Sequence, residues 1–295
     1  MKQTKKGSTV VLPSDFQSET TSNPLFKGDS RHLSHGCARA DARTLAPEDI
    51  NILIACEESQ AECKAFRRLG FNAYSCDIVK CSGKRPEWHI MQDATPLLLG
   101  GREFSTQDGK SHSVTHWDLI IAHPPCTYLC KVSSVHLVKY LSVNEIYDTG
   151  LPCGWFLDVD DVTEDQELDK RGFKIINIKR YEKMQQARIF FLRCLNAWAR
   201  FVAVENPIPM RMAKLPPPST FIDPSWFGVK YTKKTLYWLR NLPPIMPTIE
   251  HASPKEFVRC SRGKYRSRTF PQVADALAKQ WGDFILAELN NSIIG

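Results

Sequence analysis

A thiol that follows two prolines at the end of an apolar run is held where it can react. This 295-residue chain carries that arrangement as His123-Pro124-Pro125-Cys126-Thr127-Tyr128. Each proline fixes its own φ and keeps the preceding residue extended, so the turn is rigid. Cys126 then stands just past the run 117–123, and a thiolate so held can add to an electron-poor ring carbon. Free cysteines are more often buried structural residues; the place after Pro-Pro is what favours the nucleophile. Glu205-Asn206-Pro207 forms a second group at the end of an apolar run. A carboxylic acid there can bond the ring nitrogen and exocyclic amine of a cytosine, drawing electrons from the ring and helping a thiol attack carbon 6. Alone, Glu205 reads equally as a turn cap. Downstream of Pro-Pro-Cys, it becomes specific.

Three further acids end apolar stretches: Glu57, Asp77 and Asp93. In open α/β sheets ligands bind at the carboxyl ends of strands. An acid after the second strand can accept hydrogen bonds from ribose hydroxyls, and Asp93 can meet an adenine amino group, as an adenosine-containing cofactor requires. No GxGxxG is present, and the turn Cys56–Gln60 has no glycine, so it must make room by other means. The same acids would also serve as helix caps or solvated loop residues. Two basic stretches, Lys230 to Lys234 and Arg262 to Arg268, interleave charge with Tyr and Gly. They suit phosphate contact with some stacking, although charge runs are commonly just solvated faces.

The elements that must position these residues follow from periodicity. Ile52–Ala55, Asn72–Asp77, His89–Asp93, Trp117–His123, Phe201–Val204 and Leu236–Leu239 read as strands, several of them continuous apolar runs of the kind buried on both faces. Glu62–Leu69 reads as a helix with Cys63, Phe66 and Leu69 on one face, stopped by Gly70. Tyr181–Arg200 is a long amphipathic helix with Met184, Ala187, Phe191, Cys194 and Trp198 along one side. Gln272–Leu289 forms the last helix, with Val273, Ala276, Leu277, Gln280 and Trp281 at helical spacing. Residues 100–116 read as a polar loop, 131–180 as a solvated insertion or lid, and 241–260 as irregular. Strands separated by helices argue for an α/β, doubly wound, mostly parallel sheet. Residues 1–48 form a basic, Ser- and Thr-rich arm read as flexible, and 49–290 the folded domain.

Composition bounds the rest. At 42% hydrophobic and 24% charged, the chain can bury a full core. Its formal net charge of +7 suits a polyanion, and nucleic acid is the expected partner. The 10 cysteines include no CxxC pair, which argues against structural zinc. The apolar runs are strand-sized and no signal peptide opens the chain, so reduced thiols in a cytoplasmic compartment are expected, that of the host for a phage protein.

Taken together, ILIACEESQ with AFRRLGFNAYSCDI, WDLIIAHPPCTYL, VENP, FGVKYTKKTLYWL and RSRTFPQVADALAKQWG resemble the cytosine-C5 DNA methyltransferases, and more closely a group of short phage-type DNA methylases. The resemblance implies a Rossmann-like domain that binds S-adenosyl-L-methionine, with Glu57, Asp77, Ile78, Asp93 and Pro124 at the cofactor. It implies Cys126 as nucleophile and Glu205 as the base-contacting acid; from the two basic stretches, Lys233, Lys234, Arg266 and Arg268 are the residues expected at DNA. It also implies that Phe270-Pro271-Gln272-Val273-Ala274 opens a helix packing back beside the cofactor site. Three features depart from the family: the Gly-rich first motif is missing; the Gln-x-Arg-x-Arg motif falls on Tyr231, Lys233 and Thr235; and only about 20 residues separate Arg240 from Ser261, where the larger enzymes place a target-recognition domain. Short or relaxed sequence specificity is therefore expected, unless 131–180 reach the major groove. Two other readings remain. An amino-methyltransferase would carry an acid, Asn or Ser before Pro-Pro and an aromatic after it, where this chain has His123 and Cys126. A silent DNA or cofactor binder would hold cofactor without transferring methyl groups.

Overall fold

The computed structural model describes residues 44–158, 172–249, 258–259 and 268–294. The arm up to residue 43, the charged stretch 164–171 and the basic residues 262–267, Arg266 among them, lie outside the described residues.

The strands form where both faces are covered. β1 (Asn51–Ala55), β2 (Asn72–Asp77) and β3 (His89–Met91) precede a small hairpin of β4 (Glu103–Ser105) and β5 (Ser111–Ser113), and β6 (Trp117–Ala122) comes after it. β7 (Val138–Leu141), β8 (Trp155–Leu157) and β9 (Phe173–Asn177) make a separate three-stranded antiparallel sheet in the order β7-β9-β8. β10 (Ala199–Asn206), β11 (Thr220–Ile222), β12 (Tyr231–Thr232), β13 (Thr235–Arg240) and β14 (Val258–Arg259) complete the set. The main sheet has seven strands in the order β11-β13-β10-β6-β1-β2-β3. Neighbours are parallel throughout except around β13, which is antiparallel to both β10 and β11. The fold is thus α/β with a mixed, mostly parallel sheet.

Alternation along the strands divides the core in two. Ile52 and Ile54, Leu119 and Ile121, Phe201 and Ala203, and Tyr237 face α1 (Ala61–Arg68) and α5 (Pro271–Ile294). Leu53 and Ala55, Ile120 and Ala122, Val202 and Val204, and Leu236 and Trp238 face α2 (Thr95–Leu98) and α4 (Ile178–Leu195). Phe66, Phe191 and Trp281 are fully buried between the layers, each such side chain contributing roughly 1.5–3 kcal/mol. The short α3 (Val143–Thr149) comes directly after β7 and starts on a Ser142–Glu145 capping box. Among the described residues no helix is long and apolar enough to cross a membrane.

Several expectations need correcting. Residues 100–116 are not a loop: they hold the β4–β5 hairpin, whose Phe104 is buried and stacks on Trp117 with centroids 5.5 Å apart. The stretch 131–180 carries the small sheet, with Ile175 and Ile176 fully buried. Leu69 closes α1 and is 40% exposed rather than buried. Trp198 lies past the end of α4, which stops at Leu195 because Asn196 caps it and β10 takes over from Ala199. Its ring is exposed and sits against Gly100, where any Cβ would meet it at 2.7 Å.

Candidate active site

The parallel strands β1, β2, β6 and β10 end along one edge of the sheet, and the sheet's order reverses between β1 and β6. That is the position at which open α/β sheets bind ligands. Cys56 and Glu57 follow β1, Asp77 ends β2, His123 follows β6, and Glu205 sits one residue from the end of β10. β13 runs the other way, so its leading residues Lys233 and Lys234 arrive at this same edge.

Pairing explains the central cluster. Val204 lies beside Ala122, so His123 and Glu205 are next neighbours, and their parity matches Ile121 and Ala203, which face α1 and α5. Glu62, in the first turn of α1, comes down onto that face. Its carboxylate has no solvent exposure. His123 Nε2 lies 3.1 Å from Glu62 Oε2, and Nδ1 lies 3.3 Å from Glu205 Oε2. The Thr269 hydroxyl, just ahead of α5, donates to Glu62 Oε1 at 2.9 Å. Burial works against the His123 imidazolium, but the Glu62 charge and hydrogen bonds to Glu205 and Glu62 outweigh it and hold its pKa well above the usual histidine range. Burial likewise opposes the Glu205 carboxylate; the His123 bond and the charges of Lys233 and His123 overcome it and lower its pKa.

Cys126 opens a one-turn helix, Cys126–Tyr128, directly after the extended Pro125. The thiol is half-buried, and its pKa is pushed up to about 11 by burial and by Cys130 and Glu205, with Lys233 pulling the other way. Cys126, Glu205 and Lys233 are therefore close enough to act on one another electrostatically.

The first turn resolves the missing glycines. Cys56 and Gln60 both adopt left-handed backbone, with φ of 62° and 58°, conformations that cost an ordinary residue roughly 1–2 kcal/mol. The Gln60 side chain secures the turn: its amide donates to Ser75 Oγ and the Arg85 carbonyl, and accepts from Arg85 N–H. Gly83 closes against the same turn, where a Cβ would stand 2.6 Å from the Ser59 carbonyl. Glu57 is buried, and its carboxylate accepts from the N–H groups of Glu62 and Cys63 at 2.7 and 3.3 Å. It thus caps α1. Burial and the Glu62 charge push its pKa up to about 8. Asp77 accepts from Val79 N–H at 3.1 Å, beside an Ile78 that is 75% exposed. A carboxylate next to a bare apolar side chain at the sheet's edge fits a ribose and the face of an adenine. Asp93 is exposed and caps α2 through Thr95 N–H, at 2.7 Å. Pro124 is buried under the turn that presents Cys126.

The basic residues divide. Lys233 acts electrostatically on Glu205 and Cys126, whereas Lys234 lies over the Phe221 ring at 4.2 Å. Arg268 bonds Glu58 Oε1 at 3.3 Å and Ser82 Oγ at 2.9 Å, tying the segment before α5 to the first turn. Beside Cys126, Arg180 and Lys183 lie over the Tyr128 ring, a basic and aromatic surface that the sequence did not single out. Nor did it single out Glu62 and Thr269, and it noted His123 only as a flank of Pro-Pro. A cleft lined by Arg200, Asn241 and Glu288 opens at the other end of β10 and contains none of these residues.

No model of a known protein family matches this chain, and no curated protein does.

Proposed function

We propose that this chain is an S-adenosylmethionine-dependent DNA methyltransferase of Rossmann-like fold that modifies carbon 5 of cytosine through Cys126. The observation that carries the reading is the meeting of Cys126, Glu205 and Lys233 at the carboxyl edge, next to the switch in strand order. A thiol alone at that edge is a structural cysteine as readily as a nucleophile; a thiol beside a buried carboxylate and a cation matches addition to a ring held by its polar edge.

Asp77 and Ile78 would hold the ribose and adenine of the cofactor, and the strained Cys56–Gln60 turn would pass beneath it. When bound, S-adenosylmethionine supplies an electrophilic methyl group. The chain's own residues prepare the base. The target cytosine must leave the stack for its ring carbons to be reached. Tyr128 shares the one-turn helix of Cys126, and with Arg180 and Lys183 over its ring it suits the flanking phosphates and bases. Glu205 bonds the ring nitrogen and exocyclic amine. Lys233 favours the ionised sulfur, and the Cys126 thiolate adds to carbon 6, leaving carbon 5 nucleophilic. Loss of the carbon-5 proton and elimination of the thiolate restore the ring. With a thiol pKa of about 11, roughly one molecule in ten thousand carries the thiolate at neutral pH, so bound DNA must favour ionisation further.

The test is a duplex oligonucleotide containing 5-fluorocytosine, incubated with the protein and S-adenosylmethionine. A denaturation-resistant adduct is expected, absent in Cys126→Ser. Cofactor binding with no adduct would refute cytosine-C5 chemistry. Methyl transfer that survives Cys126→Ser would point instead to an amino group of adenine or cytosine.

A further inference from the structure

Addition of a thiol to a base needs a sulfur and an acid; it does not by itself require a buried histidine between two carboxylates. Yet His123 is wedged there, 3.1 Å from Glu62 and 3.3 Å from Glu205, with its side chain only 14% exposed. Carboxylates accept and do not donate, so an imidazole bonded to both must donate from both nitrogens. The resting arrangement is an imidazolium between two anions.

That creates a conflict at Glu205. To assist attack, Glu205 must present a proton to N3 of the cytosine, whereas the imidazolium and Lys233 keep it ionised. We propose that His123 is a positioning residue that supplies, through Glu205, the proton delivered to N3 of the flipped cytosine. This rests on the reading of the site given above. The Nδ1–H proton crosses to Glu205 Oε2, leaving a neutral imidazole whose Nε2–H still donates to Glu62. As the Cys126 thiolate forms its bond to carbon 6, the C5–C6 π pair moves into the C4–C5 bond. The C4–N3 π pair then settles on N3, which takes the proton from Glu205. On elimination of the thiolate the same proton returns from N3 through Glu205 to His123. The thiol's own proton leaves beforehand to water. Each cycle thus returns the histidine to its starting state.

The surrounding groups allow this. From the first turn, Glu57 faces the cluster with its pKa pushed up to about 8 by burial and by Glu62, so it adds little charge at neutral pH. From β13, the Tyr237 phenol is pushed well above its usual range by burial, Glu62 and Glu205, and stays neutral. Lys233 acts on Glu205 from the start of β13, and Thr269 fixes Glu62 from the start of α5. Glu62 is therefore the anion that retains the imidazolium, and Glu205 the one that exchanges with it.

The experiment is single-turnover adduct formation on 5-fluorocytosine DNA with saturating S-adenosylmethionine, from pH 6 to 10, using the full chain and its His123→Gln and Glu62→Gln variants. The wild-type rate should rise with pH as the Cys126 thiol ionises and turn down only when His123 loses its proton. In both variants that falling limb should move toward acid by at least one pH unit, with a rate loss of tenfold or more at pH 8 and a smaller loss at pH 6. A purely structural role would lower the rate equally at every pH. Nitrogen-15 NMR of the ring in unaltered protein gives a second readout: both nitrogens should be protonated at pH 8, and a neutral ring there would overturn the proposal even if the variants failed to fold. An adduct with the same alkaline limb in wild type and His123→Gln would remove the proton route and leave the cytosine reading standing. No adduct in wild type would remove that reading and the route with it.

Discussion

Glu62→Gln isolates the buried charge at almost constant shape. The carboxamide oxygen can still accept from the Thr269 hydroxyl, now 2.9 Å from Glu62 Oε1. Its NH2 would face His123 Nε2, now 3.1 Å from Glu62 Oε2, and two donors cannot share that contact, so the imidazole must become neutral and accept. One charge-assisted hydrogen bond is exchanged for a neutral one, a loss of about 1–1.5 kcal/mol. The pH dependence is the sharper signature. His123 has a folded pKa raised above the unfolded value, so its contribution is fully present below about pH 6.5 and is lost as pH rises through the folded value. Glu57 acts with the same sign: raised to about 8 in the folded chain, it favours the folded state below the ordinary carboxylate range and gives up that contribution as pH rises toward 8. Glu62→Gln removes the charge that raises both. Wild-type stability should therefore fall as pH rises above about 6.5, by up to about 1.4 kcal/mol per pH unit for each group titrating, while the variant stays flatter. The stability difference should be about 1–1.5 kcal/mol at pH 6 and shrink as pH rises through the folded pKa of His123. Urea unfolding followed by the fluorescence of the 7 tryptophans measures it. An offset that stays constant across the range would show a neutral His123 in the folded protein and refute the buried imidazolium.

Asp77→Ala removes the one acid at the end of β2 and should weaken S-adenosylmethionine binding by about 10- to 100-fold by calorimetry, as expected for losing hydrogen bonds to a charged acceptor; unchanged affinity would remove Asp77 from the cofactor site. Gly282→Ala should destabilise the chain by about 1–3 kcal/mol in thermal or urea unfolding, despite alanine's better helix propensity, because the added Cβ would stand 2.7 Å from the Phe71 ring.

The strands buried on both faces were readable because such strands are nearly all apolar: the sequence predicts Ile52–Ala55 and Trp117–His123, and Asn51–Ala55 and Trp117–Ala122 are found, with Asp118 the buried exception. The misses have equally physical origins. β11 is a three-residue edge strand, too short for periodicity, and it exists because β13 offers it a partner. The β4–β5 hairpin turns only Phe104 inward, so its alternation is nearly mute, although the Asp108-Gly109 pair at its tip was a usable turn signal. The places of Cys126 and Glu205 at the sheet's edge were legible because each stands at or just past the end of an apolar strand. Glu62 was not. In the sequence it is an ordinary acid in the first turn of a helix; only the fold, which sets that turn against the residue following β6, makes it a buried partner of His123. Glu57 shows the converse, since the same strand-end logic that marks an acid for a ligand also marks it as a cap, and here the nearby N–H groups of α1 take the carboxylate.

The antiparallel strand is what completes the site. In an all-parallel sheet the carboxyl edge receives only the residues at the exit of each strand. Because β13 runs backwards beside β10, pairing Tyr237 with Glu205 and Leu236 with Asn206, the residues that precede it arrive at that edge as well. The family motif that falls on Tyr231, Lys233 and Thr235 then separates by position. Tyr231 stacks on Phe270 with centroids 5.9 Å apart, and the Thr235 hydroxyl turns back to the Lys233 carbonyl at 2.9 Å. Lys233 alone acts on both Glu205 and Cys126. The single cation kept in register is the one whose charge favours both the ionised sulfur and the ionised acid. A carboxylate held in that form can give a proton to a base only if a neighbour lends it one, and the neighbour within hydrogen-bonding reach is His123.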